Sequence, residues 1–250
     1  ERGVDEVGKK LTMRLLNVVS FYELHGGAEA TTKEKSTDPL DRFIFARLAT
    51  LTKEMTTAFD AYELDRVTKP LMLFVDDLST WYLRRSRDRF KSDDATDRAN
   101  AVVTTRTVLL EFSKLLAPIM PFLAEEVYRR LGGTANSVHL ESWPLAGTVD
   151  EVILSDMTEV RRVVSLALEA RAKAGIKVRQ PLGKLTIKGE TLSNKTELIP
   201  LIIDEVNVKR VVFDKTITPE VLLDTEITLE LKSEGRFRDL VRSVQDLRKK

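Results

Sequence analysis

The sequence has no cysteine and only two histidines, His25 and His139. The absence of cysteine excludes a disulfide framework, a thiolate zinc site, an iron–sulfur cluster and a cysteine nucleophile. Two histidines leave little material for a multi-histidine metal site or for a histidine-dependent catalytic triad. We therefore expect no metal site in these 250 residues.

The sequence also lacks an excess of charge of one sign and any long apolar run. Lys and Arg total 40 against 39 Asp and Glu, so the net charge of +1 excludes a uniformly basic protein. No apolar stretch approaches the roughly 20 residues that cross a bilayer, and the N-terminal residues ERGVDEVGKK lack a signal core. We expect a cytoplasmic protein without membrane association. Because the sequence starts at Glu1 and stops inside a periodic segment, we also expect it to be part of a longer protein.

The sequence contains none of the common catalytic motifs. It has no glycine-rich phosphate loop, no H-E-x-x-H and no G-x-S-x-G. The adjacent carboxylates Asp76-Asp77 and Glu125-Glu126 would point about 100° apart on a helix, so they do not converge on one substrate atom. We interpret them as solvated or capping residues, and His139 as a packed histidine. No catalytic residue is predicted.

Apolar residues at spacings of three and four predict a helical bundle in the first part of the chain. Asp38 followed by Pro39 is typical of a helix start, and Pro70 predicts a kink or a break in the third helix. The polar residues 26–37 predict a loop. The predicted helices cover residues 3–24, 39–62, 64–90, 96–117 and 122–131.

The pattern changes near residue 145, where we place a domain boundary. A helix over 150–174 is followed by short strands that alternate with helices, which predicts a small α+β unit. The later elements are strands at 185–187 and 208–213, a helix from 193 or 194 to 204, a short strand at 226–228 and a final helix capped by Thr228. The predicted fold is mainly α: an antiparallel helix bundle over 1–145, then a small α+β domain over 146–250.

The strongest local feature is the segment WYLRRSRDRF, residues 81–90. Its four arginines and one aspartate concentrate positive charge in a chain that is neutral as a whole. Arginines bind phosphates and stack on bases, and an aromatic ring beside them suits a single-stranded RNA loop. The alternative is a solvated helix end, with arginines that favour the helix C-terminus and a tryptophan in the core.

A second basic segment is KAGIKVRQPL, residues 173–182. Gly175 ends a helix, and Pro181 favours an extended conformation at Gln180. Lys177 and Arg179 alternate with apolar residues, so we predict a strand that presents two cations and an amide to phosphates or base edges. An edge strand protected by charge is the alternative.

Taken together, seven pieces of the chain resemble isoleucyl-tRNA synthetase, in the region that follows its catalytic core. They occur in the family's order and cover nearly the whole chain: NVVSF (17–21), DRFIFARL (41–48), FVDDLSTWYLRRSRDRF (74–90), LLAPIMPFLAEEVYRRL (115–131), SVHLESWP (137–144), KAGIKVRQPL (173–182) and EGRFRDLVRSVQDLRKK (234–250). The resemblance implies the anticodon-binding bundle of a class Ia synthetase and a C-terminal junction domain, which hold the anticodon stem-loop of the isoleucine tRNA.

The resemblance also limits the expected activity. The family's HIGH-like and KMSKS-like motifs do not occur in this sequence, so these residues alone are not expected to aminoacylate tRNA. The full-length enzyme would use ATP and Mg²⁺ to attach isoleucine to its tRNA, through a catalytic domain of the same polypeptide. We expect no cofactor in this part, and a monomer.

Carried over onto this sequence, the resemblance implies tRNA contacts in both basic segments. We expect some arginines to bind phosphates, Trp81 to stack on a base, and Arg179 or Gln180 to read a base edge. The predicted contact residues are Trp81, Arg84, Arg85, Arg87, Arg89, Lys177, Arg179 and Gln180. Two alternatives stay open: the same region of valyl-tRNA synthetase, and a helical protein-interaction scaffold that binds no RNA.

Overall fold

The structure is a computed structural model that describes residues 8–26 and 36–248. The contacts divide the chain into two compact units, Glu1–Leu154 and Ser155–Lys250, which we call unit 1 and unit 2. The division lies in the first turn of a long helix, whereas the sequence places the boundary near residue 145. The limits 1–145 and 146–250 stay a prediction.

Unit 1 is a bundle of α-helices. A π-helical segment, Gly8–Met13, leads into the first of them. Short 3₁₀ turns occur at Leu64–Arg66, Arg89–Lys91 and Val138–Leu140. The α-helices are α1 (Arg14–His25), α2 (Pro39–Asp60), α3 (Thr68–Asp76), α4 (Ala95–Leu116) and α5 (Pro121–Arg130). The mainly helical prediction is confirmed, although its residues 1–7 and most of the predicted loop 26–37 lie outside the described residues.

Helix α3 does not end where its α geometry ends. It continues through a π-helical segment, Asp77–Leu83, and one further α turn, Arg84–Ser86. The helix predicted over 64–90 is interrupted near its start, as Pro70 suggested. Residues Leu64–Arg66 form a separate 3₁₀ turn, α3 begins at Thr68, and Pro70 lies in the first turn of α3.

Aspartate side chains cap the N-termini of two helices in unit 1, α2 and α4. The Asp38 carboxylate accepts hydrogen bonds from the Leu40 and Asp41 N–H groups, and Pro39 is the first residue of α2, as predicted. Asp94 caps α4 in the same way. The apolar stripes then meet in a core that includes the stacked rings of Phe74 and Phe112, with centroids 5.0 Å apart.

Unit 2 combines helices with a small sheet. The long helix α6 (Glu151–Lys173) leads into it. The remaining elements are β1 (Leu182–Ile187), α7 (Ile199–Val206), β2 (Val208–Phe213), β3 (Val221–Leu223) and α8 (Leu229–Leu247). The sheet has the order β2-β1-β3, with β2 parallel to β1 and β3 antiparallel to it. Helix α7 makes the crossover that a parallel pair requires.

Four predicted elements of unit 2 are wrong in detail. The helix predicted from 193 or 194 begins only at Ile199, and the strand predicted from 185 begins at Leu182. Residues 226–228 form no strand, and the third strand is Val221–Leu223. Residues 176–180 are also not a strand, because the Gln180 N–H donates to the Lys177 carbonyl and closes a turn. The predicted cap of the last helix is confirmed, since the Thr228 hydroxyl accepts from the Leu231 N–H.

Candidate nucleic-acid interface

An arginine rests on an aromatic cluster where α1 ends. The Arg87 guanidinium carbon lies 5.8 Å from the centroid of the Phe21 ring, within the range of a cation–π contact. Phe21 packs edge-on against Phe90, with ring centroids 5.1 Å apart, and its ring centroid lies 4.5 Å from that of His25. Phe90 is buried, whereas Phe21 and His25 are half-buried and Arg87 is exposed. The cluster therefore offers π surface and positive charge at one place.

Further cations follow the same side of this helical run. Arg84 and Lys91 lie three residues before and four residues after Arg87, the spacings that bring side chains onto one side of a helix. Both are exposed, and the Arg84 Nε donates to the Thr80 carbonyl at 2.8 Å. We call this set, Phe21, His25, Arg84, Arg87 and Lys91, the Phe21–Arg87 surface. Arg85 lies beside it and is half-buried.

Arg89 belongs to the interior of unit 1 and not to this surface. Only 12% of its side chain is exposed, and its guanidinium donates to both oxygens of Asp41 at 2.9 and 2.8 Å. Its Nε donates to Asp97 at 2.7 Å, and Asp38 lies 3.2 Å away. Because three carboxylates already occupy the guanidinium, this environment argues against the predicted phosphate contact of Arg89, which stays a prediction.

The Asp41 carboxylate is the centre of this buried network. It is fully buried, and besides Arg89 it accepts from the Tyr82 hydroxyl at 2.9 Å and the Ser36 hydroxyl at 2.6 Å. Burial and the Asp41 charge raise the pKa of Tyr82 well above its ordinary value, so that phenol stays protonated. Burial lowers the pKa of Arg89, but Asp41, Asp38 and Asp97 together outweigh it and raise the pKa overall. The network fixes the segment that carries Arg87 and Lys91.

Trp81 lies in the core. Trp81 belongs to the π-helical segment Asp77–Leu83, and only 6% of its surface is exposed. A stacking platform needs an accessible ring face, so the burial argues against the predicted stacking of Trp81 on a base, which stays a prediction. Phe21, which sequence reasoning missed, is a half-buried aromatic residue that lies beside the exposed Arg87. It was hidden because its contacts with Arg87 and Phe90 join residues more than sixty positions apart.

The second basic segment forms a turn whose carbonyl groups accept hydrogen bonds from a buried arginine. Arg171, in the last turn of α6, is fully buried and donates to the carbonyls of Lys177, Gln180 and Asn207 at 2.9–3.0 Å. Burial lowers the pKa of Arg171. These bonds fold residues 177–180 into a turn and explain why the predicted strand does not form. Lys177 is exposed and Arg179 half-buried.

Two predicted contact residues of this turn also bind within unit 2. The Gln180 side-chain amide donates to the Leu231 carbonyl at 2.8 Å and to the Pro181 carbonyl at 3.1 Å. Its donors are used in attaching the turn to the start of α8, which argues against base reading by Gln180. Arg179 forms a 3.3 Å ion pair with Asp239, but both side chains are about half exposed.

His139, interpreted from the sequence as packed, is exposed on the 3₁₀ turn Val138–Leu140. Among the described residues, no three His, Asp or Glu side chains are grouped so that they could hold a metal ion. None of the helices described is long and apolar enough to span a bilayer.

The sequence matches the family of anticodon-binding domains of tRNA ligases over residues 41–187, more than half of the chain. It is also similar to isoleucine–tRNA ligases. It is 33% identical over 279 positions to that of Dehalococcoides mccartyi, covering 100% of this chain and 28% of the relative. It is 36% identical over 223 positions to that of Deinococcus radiodurans (85% and 21%) and 38% over 221 to that of Streptomyces coelicolor (82% and 20%). The chain thus spans 20–28% of the length of these relatives. It belongs to the anticodon-binding domain family of tRNA ligases.

Proposed function

We propose that the chain binds the anticodon stem-loop of an isoleucine tRNA through the Phe21–Arg87 surface. The observation that carries the proposal is the exposed Arg87 guanidinium lying on the half-buried Phe21 ring, in a chain of the anticodon-binding family. The names of the relatives supply the amino acid, isoleucine.

The chemistry of this surface suits a single-stranded loop. Proteins recognise RNA sequence mostly in loops, where bases leave the helix and stack on aromatic rings or arginine planes. Such a stack contributes about 1–3 kcal/mol per base. Phe21 and His25 offer rings, and Arg87 offers a plane already oriented by Phe21. Arg84 and Lys91 lie where they can bind phosphates, which fixes the register of the loop without reading its sequence.

Charge is supplied locally and not by the chain as a whole. In the described part of the chain, Arg87 and Lys91 form no ion pair, whereas the neighbouring Arg89 is neutralised by Asp41 and Asp97. The segment therefore separates two roles: Arg89 holds the backbone, and Arg87 and Lys91 remain available to RNA.

We assign recognition of tRNA to these residues and the ligation reaction to the whole ligase. The relatives are named isoleucine–tRNA ligases, and the chain spans 20–28% of their length. ATP and Mg²⁺ would serve that reaction in the remainder of such a protein.

The proposal is tested by the binding of three labelled stem-loops, measured by fluorescence anisotropy at several salt concentrations. The loops carry the isoleucine anticodon, the valine anticodon and a scrambled loop on one stem. The isoleucine loop should bind most tightly, and each phosphate contact should add about 0.7 to the slope of log affinity against log salt. Equal affinity for all loops at every salt concentration would refute anticodon recognition, and tightest binding of the valine loop would favour the valine enzyme.

Matched variants locate the site. Arg87→Ala and Phe21→Leu should each weaken binding of the isoleucine loop about tenfold or more, since each removes part of the stack. Lys69→Ala is the control, because Lys69 is an exposed cation roughly 20 Å or more away along the same helical run. An equal loss in all three variants would place binding elsewhere. No binding of any loop at moderate salt would support the protein-interaction scaffold instead.

A further inference from the structure

The turn Lys177–Gln180 has its carbonyl groups bound from the inside. The Arg171 guanidinium donates to the carbonyls of Lys177 at 3.0 Å and Gln180 at 2.9 Å. The Asn207 side-chain amide donates to the Val178 carbonyl at 2.9 Å. Asn207 itself is held in the left-handed conformation, with φ of 55°, and its side-chain oxygen accepts from Arg238 at 2.7 Å.

Because these carbonyl groups point toward the interior of unit 2, the N–H groups of the same peptide units point away from it. In a planar trans peptide the C=O and the N–H point in opposite directions. The inward carbonyl of Lys177 therefore turns the Val178 N–H group away from Arg171, and the inward carbonyl of Val178 turns the Arg179 N–H group away from the Asn207 side chain. Among the described residues, neither N–H donates to a backbone or side-chain acceptor. Two consecutive N–H groups with one direction form a concave donor site that binds anions.

Positive charge surrounds these two N–H groups. Lys177 is exposed and, in the described part of the chain, has no carboxylate partner. Arg179 is 41% exposed and pairs with Asp239, itself 55% exposed, so a phosphate could replace that partner. Beneath the turn, Arg171 is fully buried against carbonyl groups, and its Nε lacks any partner among the described atoms. Its charge is therefore not neutralised by a nearby carboxylate.

We propose that the turn Lys177–Gln180 is a phosphate-binding site for a phosphodiester of the tRNA backbone. The Val178 and Arg179 N–H groups and the Lys177 ammonium bind the anion, and Arg171 is the positioning residue that sets the turn. This inference rests on the proposed function and deepens it, since it assigns unit 2 a contact that is independent of base sequence. It also gives Gln180 a different role, that of tying the turn to α8.

The test uses the full 250-residue chain and follows the amide resonances of Val178 and Arg179 by NMR. The isoleucine stem-loop and inorganic phosphate are titrated in separate experiments. With the RNA, both resonances should move downfield, as expected when an N–H donates to an anion. Phosphate alone should move the same two resonances at higher concentration.

Matched variants then connect the turn to RNA affinity. Lys177→Ala should weaken stem-loop binding several-fold and lower the salt slope by about 0.7, equally for every loop sequence. Lys188→Ala, an exposed lysine beyond the other end of β1 and roughly 20 Å away, should leave both unchanged. Arg171→Lys keeps the buried charge but cannot reach three carbonyls at once, so it should remove the two amide shifts while Lys177 remains in place.

The outcomes are distinguishable. A stem-loop that binds without moving the two amides, or equal affinities of Lys177→Ala and Lys188→Ala, overturns the site and leaves the proposed function standing. Retained amide shifts in Arg171→Lys overturn the positioning role. If no stem-loop binds, the proposed function fails. In that case, amide shifts with phosphate alone assign the turn to a free anion, and their absence overturns an anion site altogether.

Discussion

Replacing Arg89 by methionine should destabilise unit 1 severely, although Arg89 lies in a segment predicted to bind RNA. The change removes both hydrogen bonds to Asp41, a carboxylate with no exposed surface. Breaking a buried ion pair by deleting one partner costs about 3–5 kcal/mol, because the other charge stays buried and uncompensated. The bonds to the partly exposed Asp97 and Asp38 add about 1 kcal/mol or less each. We expect a total loss of about 4 kcal/mol.

Removing both charges should recover most of the stability that Arg89→Met loses. In the double variant Asp41→Leu with Arg89→Met, no charge is left buried, and such apolar replacements are often nearly neutral. The Tyr82 hydroxyl loses its Asp41 acceptor but still has Thr105 at 3.4 Å and the Ala101 carbonyl at 3.5 Å. The double variant should therefore be more stable than Arg89→Met by about 2 kcal/mol or more.

Tryptophan fluorescence measures this effect in unit 1 alone. Both tryptophans, Trp81 and Trp143, precede the division at Leu154, so their emission during urea unfolding does not report on unit 2. Arg87→Ala is the control, because it removes only an exposed cation–π contact of about 0.5–1 kcal/mol. A loss below about 1 kcal/mol for Arg89→Met, or a double variant no more stable than the single one, would refute the reasoning.

Three further predictions concern single contacts. A Cβ at Gly235 would lie 2.5 Å from the Gln180 side-chain oxygen, so Gly235→Ala should destabilise unit 2 by about 1 kcal/mol. In a Gln180→Ala background the clash is absent, and the same change should stabilise the helix by about 1 kcal/mol. Hydrogen exchange of the amides in α8 measures both effects. The hydrogen bond from Arg130 lowers the pKa of Glu23 in the folded state. The stabilisation of unit 1 by this bond is therefore full above the ordinary pKa of 4.5 and is lost as the pH falls through the lowered pKa. Urea midpoints should show this decline, and Glu23→Gln should reduce it. Asp94→Ala should cost unit 1 about 0.5–2 kcal/mol in the same urea assay, because two N–H groups at the start of α4 lose their acceptor.

Local signals in the sequence predicted the fold well. Asp38 with Pro39, and Thr228, mark helix starts through bonds that span only two or three residues, and the structure contains them. The strand Val208–Phe213 was predicted at its true limits. The alternating pattern at 176–180 misled because Arg171 captures two of its carbonyls, a contact that no periodicity encodes.

The candidate site was less predictable, because identical residue types have opposite environments. Arg87 and Arg89 are two positions apart, yet one is exposed and the other reaches Asp41, forty-eight positions earlier. Phe21 gains its role only through the fold, which brings it to Arg87. Composition could locate positive charge in the segment 81–90, but not which guanidinium is neutralised.

The π-helical segment Asp77–Leu83 has a consequence for the direction of the side chains that follow it. A π turn contains about one residue more than the α turn it replaces. If the same residues ran in α geometry, every later side chain would rotate by about 100°. Arg89 would turn away from Asp41, and Arg87 away from Phe21. The π geometry of this segment therefore decides which arginine is exposed to solvent and which one the core retains.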